Sequence, residues 1–218
     1  MVDADLLYGR TAVSALFYAH NNPRMIPPTF RRFPTSSTIE SFLSTQSTLA
    51  FTYAPVGATS TTPPPGYTVD HNRIQLGAGQ RTFDTAQSAL RSWKHFDLDW
   101  VKAIPSKPEI EPGVAVAVLG RGLGLWCLMA CRIVYTVHEE ENDVTRFGFA
   151  YGTLPAHAET GEERFMIEWN HRDDTVSYDI LAFSKPHGLF PRLANSWLRR
   201  LQRRFAADSK SAMVRAAL

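Results

Sequence analysis

Apolar positions along this chain fall into two regimes. Phe83, Ala86, Leu90, Trp93 and Phe96 stand 3, 4, 3 and 3 residues apart and form one stripe. The spacing predicts a helix over 82–96, with Thr82 as N-cap and Asp84 in its first turn. From residue 98 the pattern changes to strands. "LDWVKAI", "GVAVAVLG", "LWCLMACRIVYTV", "TRFGFAYGTL", "ERFMIEW" and "TVSYDILAFS" are rich in β-branched and aromatic residues. The breaks between most of them are short ("RGLG", "HEEENDV", "AHAETGE", "NHRDD") and predict antiparallel hairpins, because parallel strands need a crossover of a dozen or more residues.

A second helical pattern closes the chain, over 189–215. At about 100° per residue, Phe190, Leu193, Ala194, Trp197, Leu198, Leu201, Phe205 and Ala212 share one face. Arg192, Arg199 and Arg203 lie opposite and are expected to face water, while Arg204 projects from the apolar edge beside Trp197 and Leu201. Nearer the start, Ser37 or Thr38 is placed to cap a helix through "IESFLSTQ", with Glu40 in its first turn. "LAFTY" (49–53) alternates like a strand, "VGATSTTPPPGYTVDH" reads as a loop, and "HNRIQLGAG" as a short extended piece. Residues 1–36 combine one short helical stretch with a segment broken at Pro23, Pro27, Pro28 and Pro34.

A sheet with one apolar face needs a cover, and the closing helix carries the matching stripe. The expected fold class is therefore α+β: a curved antiparallel sheet wrapped on a long C-terminal helix. This is the helix-grip arrangement, which often leaves a cavity. Residues 1–36 are expected to be an irregular arm packed on the body, and 37–218 a single domain.

Composition narrows the picture further. The length of 218 residues, with 44% apolar and 20% charged positions, fits one globular domain. A net charge of +2 gives no global field for nucleic acid. No stretch reaches the ~20 apolar residues that span a bilayer; the nearest, 123–137, carries Arg132. The opening "MVDADLLYGR" has no basic n-region, so no secretory signal is read and a cytoplasmic location is expected. Cys127 and Cys131 on one strand stand about 13 Å apart at ~3.3 Å per residue, beyond the reach of a disulfide. They read as small buried hydrophobes in a reducing compartment.

Several segments resemble a bacterial and plant family called domain of unknown function 1990. They are "FTYAPVGAT", "PPGYTVDHNRIQLGAG", "FDTAQSALRSWKHF", "GLWCLMACRIVYTV", "FGFAYGTLPAHAETGEERF", "DILAFSKP" and the closing "LQRRFAADSKSAM". The likeness runs from about residue 38 to the C-terminus. The family has no assigned chemistry, so no catalytic residue is carried over. Its layout is similar to the START-like, or Bet v 1-like, superfamily. That similarity implies a cavity for apolar small molecules, with cyclase or hydrolase activity in some members.

Candidate chemistry concentrates in "FGFAYGTLPAHAETGEERF". Phe147, Phe149 and Tyr151 alternate on one strand, and Phe165, Ile167 and Trp169 on the returning one, with turn formers Pro155 and Gly161 between. His157 is expected at the tip or rim of this hairpin, with its acids solvated, or as a hydrogen-bonding or acid–base group at a pocket mouth. His157, Glu159 and either Glu162 or Glu163 offer metal-type donors, but the spacing matches no metal motif and no metal or cofactor is expected. Asp70 beside His71 is a pair able to orient an imidazole, so His71 is the second catalytic candidate, without a nucleophile next to it. "STQS" lacks the elbow glycines of a hydrolase, and "GRGLG" joins two strands instead of opening a helix. Arg132 is read on one strand face with Tyr135 on the other; if buried, Arg132 requires a partner such as Asp179 or Glu168.

The pocket candidates are Trp126, Arg132, Tyr135, Phe149, Tyr151, Tyr178, Trp197 and Arg204, for an apolar or aromatic small molecule. Two other classes remain: an enzyme of cyclase or hydrolase type in the same cavity, using His157 or His71, and an interaction module with a filled core. A cavity of about 300 Å³ or more separates the last from the first two. A titratable group facing that cavity beside another polar group separates the enzyme from the binder.

Overall fold

The computed structural model describes residues 25–105, 108–187 and 195–217. Two strands and two helices open this region: β1 (Thr29–Phe30), α1 (Ser36–Gln46), β2 (Thr68–Ala78) and α2 (Gly79–Arg91). Then come β3 (Val101–Ile104), β4 (Ala115–Gly122), β5 (Leu125–Glu141), β6 (Val144–Thr153), β7 (Glu159–Asn170) and β8 (Thr175–Pro186), closed by α3 (Asn195–Ala217). Among the described residues these strands make one curved, eight-stranded antiparallel sheet in the order β2-β8-β7-β6-β5-β4-β3, with β1 on β5. The hairpin run from β4 to β8 is as the short breaks predict. The "HNRIQLGAG" piece is part of an 11-residue strand that pairs with β8.

Alternation gives the sheet two faces. The concave one carries Val116 and Val118, Phe147 and Phe149, Phe165 and Ile167, and Val176 and Tyr178, all buried with α2 and α3 in one core. The stripe Phe83, Ala86, Leu90, Trp93 and Phe96 is buried as its spacing requires. Its backbone is not one helix, however. α2 ends at Arg91, Trp93 takes a left-handed φ of 55°, and a 3-10 turn carries Lys94 to Phe96. That conformation is costly for a bulky residue. It persists because the ring is buried and its Nε1 donates to the Pro108 carbonyl at 2.8 Å. Buried His95 stacks on Trp93 and lies 4.6 Å from the Phe165 ring. Burial pushes this imidazole down to about 3, so it is neutral.

The convex face is covered by α1 and by 51–60. Ile39 of α1 packs on Ala117, Leu119 and Leu128, with Trp126 and Phe30 beside them. Arg132 caps the C-terminal end of α1, donating to the Ser47 and Leu49 carbonyls at 2.6 Å each.

Several sequence expectations need correction. The α1 cap is Thr35, whose Oγ1 accepts from the Thr38 amide, so the helix starts early and Glu40 falls outside its first turn. Ala78 precedes α2, and Thr82 lies inside it, donating to the Ala78 carbonyl. "LAFTY" is not a strand: Thr52 bonds Thr153, but the segment runs over the convex face. The expected helix at 6–22, and residues 189–194 of the closing helix with Phe190, Arg192, Leu193 and Ala194, lie outside the described residues. Within α3, Ala206, Ala212 and Met213 are buried, but Trp197 is 38% exposed. Arg199 is not a free solvated charge; it pairs with Asp70. Among the described residues no helix is long and apolar enough to cross a membrane.

The aromatic core and the Trp197 end should therefore respond differently to truncation. Phe165→Ala is expected to cost about 3–5 kcal/mol, the range for a buried aromatic. Trp197→Ala should cost about 1 kcal/mol or less, as at a partly exposed site. Urea unfolding of both variants measures this, and equal losses would overturn the division.

Candidate functional site

α2 reaches only one end of the concave face. At the other end the sheet is covered by the first turns of α3, and a cavity of about 380 Å³ lies between them. Val118, Met129, Ile180, Leu201 and Phe205 wall it with apolar surface. Leu123, Leu125 and Trp197, all exposed, stand at its opening. The Trp197 ring rests against the bare backbone of Gly122, where a Cβ would meet it at 2.7 Å.

Polar groups line the sheet side. Alternation along β7 turns Glu159 and Glu163 inward with Phe165 and Ile167. Glu163 accepts from the Tyr151 hydroxyl at 2.7 Å. Burial pushes this carboxyl up to about 7, against the pull of that hydrogen bond. Glu159 accepts from the Gln202 amide at 2.6 and 2.7 Å and from Ser184 at 3.2 Å, and burial raises it as well. Next to them Arg199 grips Asp70 with two bonds of 2.5 and 2.7 Å and bonds Gln202 at 2.7 Å. Cys127 also lines the cavity, its thiol raised by burial to about 11 and thus protonated.

His157 lines the cavity, but not at a solvated tip. The 154–156 connection is buried because the β5 edge beyond β6 needs partners. Leu154 donates to Ala130, Ala130 donates to Ala156, and the Ala156 amide donates to buried Gln46 at 2.9 Å. The His157 Nδ1 accepts from the Glu159 amide at 3.0 Å, and burial pushes the ring down to about 4. Among the described residues no His, Cys, Asp and Glu side chains gather as a metal site. Glu162, the neighbour of Glu163, is on the opposite face. There it accepts from Tyr53 at 2.6 Å, from the Gly57 and Thr59 amides at 2.7 and 2.8 Å, and from the Thr59 hydroxyl.

Of the pocket and catalytic candidates, Tyr151, His157 and Trp197 come together at the cavity, with Glu159, Glu163, Asp70 and Cys127 from the other residues singled out in sequence. Phe149 and Tyr178 share the concave face but belong to the filled end; Phe149 packs on Trp93, and the Tyr178 hydroxyl meets Ser209 at 3.0 Å. Trp126, Arg132 and Tyr135 are on the convex side. Tyr135 shares that side with Arg132 because a bulge between Ile133 and Tyr135 shifts the alternation, and its hydroxyl bonds Thr59. Arg132 is satisfied by carbonyls, while Asp179 takes Arg164 and His71, and Glu168 takes Arg73 and Arg146. His71, its side chain 58% exposed, thus faces outward, and Arg204 lies at the surface over Trp100, 4.4 Å from its ring centre. Glu159 and Glu163 are named in sequence only as metal-type donors beside His157, and their grouping with Gln202 and Ser184 at the cavity was missed. Parity along β7 and the placement of Gln202 one turn after Leu198 were the available signals.

A family model described as Domain of unknown function (DUF1990) matches residues 52–212. A UPF0548 protein of Dictyostelium discoideum is 40% identical over 157 residues, covering 69% of this chain and 73% of its own. A UPF0548 protein of Deinococcus radiodurans is 32% identical over 198 residues, 85% of this chain and 97% of its own. Among solved structures, human STARD10 is similar at a TM-score of 0.40 and 11% identity, over 84% of this chain and 81% of its own.

Two carboxyl groups adjacent in sequence should behave differently. Glu162→Gln replaces an acceptor of several donors with an amide that must turn an N–H toward one of them, and is expected to cost roughly 2–4 kcal/mol in urea unfolding. Glu163 binds its proton more tightly folded than at its ordinary 4.5, so its contribution is fully present below pH 4.5 and is lost as pH rises through about 7. His157 works in the opposite direction, losing its contribution as pH falls from 6.5 through about 4. The stability of wild type relative to Glu163→Gln, measured from pH 4.5 to 8, should therefore fall with rising pH. A flat difference would contradict the burial of Glu163.

Proposed function

The chain belongs to the DUF1990 family, and we propose that it is a cytoplasmic binding protein for an apolar or aromatic small molecule held between the sheet and α3. The observation that carries this reading is the cavity of about 380 Å³, walled by apolar side chains with a few convergent polar groups. Small-molecule sites have this size and make-up. Tyr151 and Trp197 are its ring contacts, and Glu159 and Glu163 orient the bound molecule. In this reading residues 37–218 act as one binding domain. The preceding arm contributes β1, which pairs Thr29 and Phe30 with Cys127 and Trp126 near the cavity wall.

A second reading, catalysis in the same cavity, is favoured by one observation. Glu163 faces the cavity beside Tyr151 and titrates at about 7, where a carboxyl can both give and take a proton. His71 faces away from the cavity, and His157 is held neutral with Nδ1 occupied, so an acid–base role falls to Glu163.

Ala182 lines the cavity, and a phenyl ring there would fill much of it. Native mass spectrometry of protein purified from its own host is expected to show a retained small molecule, and Ala182→Phe should lose it while unfolding at a similar urea concentration. Retention by a folded Ala182→Phe variant would refute the cavity as the site.

A further inference from the structure

The cavity of the proposed binder is asymmetric in charge. Glu163 and Glu159 face it from β7, Asp70 from β2, Tyr151 from β6, and His157 from the β6–β7 connection. Cys127 faces it from β5, Cys131 is buried further along the same strand, and burial keeps both thiols protonated. On the α3 side stand Gln202 and Arg203, with Arg199 beside them.

The cations among these described residues do not neutralise Glu163. Arg199 is bound in a two-bond grip to Asp70. Arg203 is exposed. Arg121 lies over Trp126, which belongs to the convex cluster. Glu159 is held by the neutral amide of Gln202, with Arg199 near enough to oppose part of the upward push of burial, while Glu163 has the hydroxyl of Tyr151. A carboxylate in apolar surroundings without a counter-charge is costly and takes up a proton unless a cation reaches it.

The geometry points to a protonated organic amine on an apolar or aromatic body as the molecule this cavity takes, an inference that rests on the binding reading above. The ammonium group has three N–H donors and no acceptor, which suits Glu163, Glu159 and the Tyr151 oxygen. The body packs on Phe96, Phe205, Met129 and Trp197, whose ring faces also favour a nearby cation. A carboxylate ligand would be placed against two carboxyl groups. Because Glu163 holds its proton up to about pH 7 and the amine pairs with the anion, binding at pH 6 releases a proton, and affinity rises toward pH 8.

Isothermal titration of the full chain with 2-phenylethylamine, 2-phenylethanol and 3-phenylpropanoate tests this at pH 6 and pH 8. At pH 8 the amine should bind about tenfold more tightly than the alcohol, and the carboxylate most weakly. At pH 6 the amine's heat should vary with buffer ionisation enthalpy in the direction of proton release. In Glu163→Gln, which keeps an acceptor for Tyr151, the amine-to-alcohol ratio should fall to about twofold or less. An alcohol that binds as tightly as the amine, or a carboxylate that binds best, overturns the amine assignment and leaves the binding reading standing. No binding by any of the three, together with no molecule retained from the host, overturns both.

Discussion

The concave face of the sheet is larger than the helical surface available to bury it. α2 and the 3-10 turn after it deliver Phe83, Leu90, Trp93, His95 and Phe96 to one end, where they meet Phe149, Phe165 and Tyr178. Aromatic packing there is dense enough to hold a left-handed tryptophan and a histidine whose ring nitrogens have no partner among the described residues. At the other end α3 alone spans the face. Leu201, Phe205 and Ala206 reach the sheet, but Trp197 stays half outside, and the space between remains a cavity. Uneven cover is thus the constraint from which both the core and the pocket follow.

β7 shows how that constraint divides neighbouring residues. Glu162 and Glu163 differ only in parity. One turns to the convex side, where Tyr53, Gly57 and Thr59 surround it with donors and pin the 52–60 segment to the sheet. The other turns into the cavity, where one hydroxyl reaches it and burial favours its protonated form. The first is a fully satisfied buried polar group of the kind that fixes a fold. The second has a single hydroxyl donor beside it, and burial decides its charge.

β5 is the element that brings the two ends together. It serves β4 over 125–132 and β6 over 131–141, so part of its length has an edge that neither neighbour uses. β1 and the 154–156 connection take up that edge, and Gln46 and Arg132 tie α1 to the same place. His157 and Glu159 follow directly from this connection, which is why they sit at the cavity and not at the end of a free hairpin.

The sequence by itself determined the architecture. Period-two strands with short breaks can pair only as antiparallel neighbours, and a 3.6-period stripe at the end must cover an apolar face. It also determined that Phe147, Phe149 and Tyr151 share one face of their strand, and Phe165, Ile167 and Trp169 one face of the returning strand, since alternation is local. The tertiary structure decided the site. Tyr135 was misplaced because a bulge, invisible in composition, shifts the alternation after Ile133. Trp126 and Arg132 were assigned to the pocket because periodicity says which residues share a face but not which face is concave. Arg132 found carbonyls at a helix end, and Arg199 found Asp70, because partners more than 80 residues away in the chain leave no local signature. Whether a buried carboxyl meets several donors or only one is likewise a matter of which loops cross it, and that is set only when the sheet has closed.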